Sequence, residues 1–100
     1  RLMLHTAAVF ASNYTNLMYI ISNDILAGSN LPADALHPLM LETARKAVSS
    51  HPAAMQTGPA RRNDTPTLEK HLAALASVPE YAELYKLLAN IISKKYNTPI

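Results

Sequence analysis

The chain has 100 residues, 49% of them apolar and only 16% charged, with a formal net charge of +2. That length fits one domain with a modest core, and its 9 basic and 7 acidic residues are too scattered for a nucleic-acid footprint despite a pI near 9.1. With no cysteine there are no disulfides or thiolate metal ligands, a pattern that favours a reducing, cytoplasmic setting.

The first predicted element is a helix from about Leu2 to Ala27, free of Gly and Pro until "AGSN" at 27–30 stops it. Its apolar residues, among them Leu2, Leu4, Phe10, Leu17, Ile20 and Ile25, almost encircle it. Such a helix touches neighbours on several sides, and together with the low charge content this predicts a homodimer. The apolar runs at 7–11 and 17–21 are far too short for a membrane span. A second helix is expected from about Ala33 to Ser49, kinked or delayed by Pro38. A polar loop follows, "MQTGPARRNDTPT" at 55–67. The third helix is expected over about Pro66–Ala76, with Asp64 or Thr65 as N-cap and Pro66 in its first turn. The fourth begins at "SVPE", where Ser77 and Glu80 have capping-box spacing, and its stripe of Tyr81, Leu84, Tyr85, Leu88, Ile91, Ile92 and Tyr96 keeps helical period. No segment alternates as a half-buried strand should. The reading is all-α: residues 1–100 as one helical domain, a bundle of about four helices with a long first helix. Because Arg1 leads at once into apolar sequence without an initiator methionine, the chain is expected to be a piece of a longer protein.

Two constellations could carry chemistry. At 100° per residue His5, Ser12, Asn16, Tyr19 and Asn23 fall within roughly 40° of one line on the first helix, with Asn13 to one side. This polar strip is either a seam of interhelix hydrogen bonds or the lining of a cleft for a polar ligand or a nicotinamide carboxamide. In the loop, Thr57-Gly58-Pro59 forces a turn, and Arg61, Arg62 and a helix N-terminus suit an anion. Asp64 can cap the helix or pair with an arginine. For His71, on the face of Leu68 and Leu75, a satisfied core histidine is the default over a catalytic one. His37 and His51 lack ligand spacing and no H-E-x-x-H occurs, so no metal is expected.

"LHTAAVFASNYTNLMY" at 4–19, "QTGPARRNDTPTLEKHL" at 56–72 and "PEYAELYKLL" in the last helix carry a resemblance over nearly the whole chain. The sequence resembles the helical domain of unknown function that follows a Rossmann-like, NADP-binding domain in an oxidoreductase-like family. That family is similar to the C-terminal domains of 6-phosphogluconate dehydrogenase and pyrroline-5-carboxylate reductase. The resemblance implies the fold of those C-terminal domains, NADP held mainly by an N-terminal domain, and a helical part that dimerises and walls a cleft for a small-molecule substrate. It places the family pattern on His5, Ser12, Asn13 and Asn16, on Thr57, Gly58, Pro59, Arg62 and Asp64, and on His71. Asn63 stands where the pattern expects glycine, a tolerable exchange for left-handed backbone. The amide strip and the arginine loop are then expected to line one hollow, with Arg62 available to an anionic group. The competing reading is a helical interaction or scaffold module without redox activity.

Overall fold

The computed structural model describes residues 1–97, and every regular element among them is helical. In chain order these are α1 (Leu2–Ala8), a π-helical segment (Val9–Tyr14), α2 (Thr15–Leu26), α3 (His37–Ser49), α4 (Pro52–Met55), α5 (Thr65–Ala74) and α6 (Pro79–Tyr96). The chain divides into two compact units, Arg1–Thr43 and Ala44–Ile100, which are taken in turn.

In the first unit α1, the π segment and α2 run into one another without a break, since the junction residues Val9 and Thr15 both keep right-handed helical angles. The hydrogen-bond register changes while the helix continues. Hydroxyls show the change directly: Thr6 and Ser22 donate to carbonyls four residues back, at Leu2 and Met18, whereas Thr15 reaches five back to Phe10 at 2.8 Å. A wide i→i+5 turn takes in about one residue more than an α turn, so everything before it slips by roughly 100° against everything after it. Large apolar side chains stand open along this rod, Phe10 at 65%, Ile20 at 48% and Leu17 at 43% of full exposure. Phe10 and Tyr14 meet edge to face at 5.1 Å. After α2 the Ser29 hydroxyl donates to the Leu26 carbonyl and accepts from the Leu31 N–H, closing the expected stop. Helix α3 starts late, at His37 with Pro38 second, where the missing proline N–H needs no partner.

In the second unit the four-residue α4, nucleated by Pro52 after an extended His51, is a turn the periodicity did not foretell. Asp64 is the N-cap of α5, as expected, with Pro66 in the first turn. The expected Ser77–Glu80 capping box does not form. Pro79 takes the first position of α6, so Val78 becomes the cap residue, without a side-chain bond, and Ser77 falls one place outside. The Val78 N–H is turned back to the Leu75 carbonyl at 2.9 Å, closing the α5–α6 corner. Among the described residues only Ala60, in the polar loop, is buried, at 7% exposure. The innermost point of this unit therefore lies under the loop.

Candidate functional site

The loop of the second unit takes its shape from two left-handed residues. Gly58 has φ +103°, and no atom lies within 4 Å of where its Cβ would be, so glycine is needed for backbone angle and not for space. Asn63 has φ +57° and adopts the conformation a glycine would supply there. Between them the chain curls once: Arg62 N–H donates to the Gly58 carbonyl at 3.2 Å and Asp64 N–H to the Pro59 carbonyl at 2.9 Å.

The end of α6 straps this curl down. The Tyr96 hydroxyl donates to the Ala53 carbonyl, the Asn97 amide donates to the Ala60 carbonyl at 2.9 Å, and the Arg61 guanidinium lies 4.3 Å from the Tyr96 ring centre. The two neighbouring arginines thereby separate in role. Arg61 is committed to a cation–π contact. Arg62 stays 61% exposed, with a single long approach of 3.7 Å to Asp64.

Asp64 accepts from the Thr67 hydroxyl at 2.7 Å and from the Thr67 N–H at 3.3 Å. These two bonds, in that order, with Arg62 nearby, outweigh desolvation and hold its carboxyl below the ordinary 3.8. A carboxyl lowered on folding adds stability that is present above its unfolded value and is lost as pH falls through the folded one. Asp64→Asn keeps a capping oxygen but cannot titrate. Its thermal midpoint, followed from pH 5 down to about 2.5, should fall less steeply below the ordinary carboxyl range than that of the unsubstituted protein. Parallel curves would remove Asp64 from the acid response.

His71 is satisfied but not in the core. It stands exposed on α5, its Nδ1 hydrogen-bonded to the Tyr85 hydroxyl of α6 at 2.8 Å with the rings edge-on. Burial pushes the Tyr85 hydroxyl pKa up, so the phenol stays protonated. Tyr85 also lines an apolar slot of about 200 Å³ between the loop, α5 and α6, walled by Gly58, Pro59, Leu68, Leu88, Ala89 and Ile92, with Thr57 and Ala60 completing it.

In the first unit, Ala11, Ser12, Asn13, Thr15, Asn16 and Tyr19 line an open polar recess over the π segment and the start of α2. Among the described residues the side chains of Ser12, Asn13, Asn16 and Tyr19 make no hydrogen bond to the protein, although other helix hydroxyls bond back to their own backbone. His5 is not in the recess. The expected line assumed 100° per residue throughout, and the wide turn between His5 and Asn16 rotates His5 off it by roughly 100°.

Of the expected site residues, then, Ser12, Asn13 and Asn16 share one recess, Thr57, Gly58 and Pro59 line the slot, and Arg62 and Asp64 pair on the same loop. In the sequence Tyr85 and Tyr96 stand out only as stripe residues and Asn97 not at all, because nothing local marks a side chain that straps a loop 37 or 43 positions away. Among the described residues no helix is long and apolar enough to cross a membrane, and no three His, Asp or Glu side chains gather as a metal site.

Residues 1–92 match a family profile described as a domain of unknown function, DUF2520. The chain belongs to the DUF2520 family. Among solved structures, this DUF2520 chain is similar to the crystal structure of a putative NADP oxidoreductase from Bacteroides fragilis, with 44% identity and a TM-score of 0.88. The alignment covers 92% of the DUF2520 chain but 36% of that protein. No curated protein sequence matches.

Proposed function

We propose that this DUF2520 chain is the C-terminal dimerisation and substrate-side domain of an NAD(P)-dependent oxidoreductase. The likeness to an NADP oxidoreductase over 92% of the chain carries the reading. The residues present fit a supporting role in cofactor binding. The recess offers carboxamides of Asn13 and Asn16 and hydroxyls of Ser12 and Tyr19, donors and acceptors suited to a carboxamide, while the sequence has no Gly-rich phosphate loop. Phosphate binding therefore falls to a preceding Rossmann-type domain. The cofactor, when bound, supplies the hydride chemistry. This chain's own part is to orient a polar ligand group at the π-helical recess and to offer Arg62 to an anionic one. The exposed apolar rod of α1 and α2 supports a second copy as the partner that covers it.

Titrating NADPH into the full-length protein, followed by nicotinamide fluorescence, should give saturable binding in the micromolar range, weakened by Asn13→Ala and Asn16→Ala without loss of helix content. No saturation at millimolar NADPH would overturn the oxidoreductase reading in favour of a scaffold module.

A further inference from the structure

The slot in the second unit combines features that neither the recess nor the cofactor uses. Its walls are apolar on three sides: the Gly58–Ala60 bend, Leu68 of α5, and the Tyr85–Leu88–Ala89–Ile92 face of α6. The polar atom at its edge, the Tyr85 hydroxyl, is already bound to His71. About 200 Å³ holds roughly six or seven methylene-sized groups, below the usual ~300–1,000 Å³ of a whole-ligand pocket. It suits a substituent and not an entire molecule. One backbone turn away, fixed by its own N–H to the Gly58 carbonyl, is Arg62, exposed and with most of its donors unspent.

We propose that this slot takes the compact aliphatic or aromatic group of a small carboxylate, whose charged end is met by Arg62. The substrate class that follows is an amphipathic carboxylic acid of about six or seven carbons beyond the carboxyl. Arg62 is the cation for it because Arg61 is held against Tyr96, and its 3.7 Å separation from Asp64 is well beyond a bidentate pairing distance. The proposal rests on the reading of this chain as substrate-side, but its test needs no nicotinamide, so the two can fail separately.

The test is an NMR titration of the whole protein, without cofactor, with acetate, butyrate, hexanoate, octanoate, decanoate and dodecanoate, and with hexanol as the uncharged control. Affinity should rise about fourfold per methylene and level off once the slot is full. Hexanol should bind at least tenfold more weakly than hexanoate. Ala89→Phe, which fills the slot, should abolish the length dependence. Leu88→Ala, which widens it, should move the plateau to longer chains and guards against a misfolded Ala89 variant. Arg62→Gln should erase the difference between acid and alcohol while keeping the length dependence. Equal affinity for acetate and hexanoate, or a length dependence that survives Ala89→Phe in a folded protein, would overturn the proposal. So would a flat series in which Ala89→Phe instead changes the sedimentation of the protein, because the slot would then belong to a contact between copies.

Discussion

The double variant Leu17→Glu, Ile20→Glu is expected to sediment as a monomer at concentrations where the unsubstituted full-length protein, on the proposed function, is a dimer. Both side chains lie on α2, three residues apart, and both are substantially open in the single chain. In a two-fold interface each position counts twice, so two substitutions remove four buried aliphatic groups. With roughly half of each side chain still open, that is about 0.7–1.5 kcal/mol each and about 3 kcal/mol in all, before the cost of desolvating four carboxylates. The dissociation constant of the proposed dimer should therefore rise at least ~10²-fold. Far-UV circular dichroism should hardly change, because these side chains contribute little to the lone chain's packing. An unsubstituted protein that sediments as a monomer at tens of micromolar would remove dimerisation from the proposed function.

Deleting Ala11 is expected to be far better tolerated than deleting Met18 from α2, because only Ala11 lies in the π segment. The π segment contains one residue more than an α-helix needs, and its removal lets the rod close into a regular helix. Helix content should be kept or slightly raised. The wide turn already absorbs about one residue's rotation, so Leu2 and Leu4 keep their orientation against Leu17 and Ile20 once Ala11 is gone. Deleting Met18 instead, from the regular turns of α2, turns Leu17 by roughly 100° against Ile20, and misaligning about two aliphatic side chains per chain should weaken the proposed dimer roughly a hundredfold. Equal loss of dimer affinity in the two deletions would show that the wide turn absorbs no residue.

Features that depend on neighbouring residues were open to reading in advance. Asp64 with Pro66 announces the start of α5, Pro38 delays α3, and Asn63 takes the left-handed angle that its place in the bend requires. Each is a matter of one or two dihedrals and a local hydrogen bond. The capping box at Ser77 and Glu80 misled because spacing is all it specifies, while Pro79 decides where the first turn begins. The π segment left no mark, since one extra residue in a helix that is apolar nearly all round disturbs no pattern. His5 was misaligned for that reason alone. The straps from Tyr96 and Asn97 were hidden for the opposite reason: their partners are remote in sequence, and only the folded α6 brings them under the loop.

Those straps have a bearing on biosynthesis. Domains form as the polypeptide is made from its N-terminus, and contacts between distant positions must wait for both ends. The bend that presents Arg62 is translated more than thirty residues before Asn97, the side chain that grips its Ala60 carbonyl. A nascent chain halted within α6 will carry the arginine on a bend not yet fastened by Asn97, which closes onto it only once the final helical turn has left the ribosome.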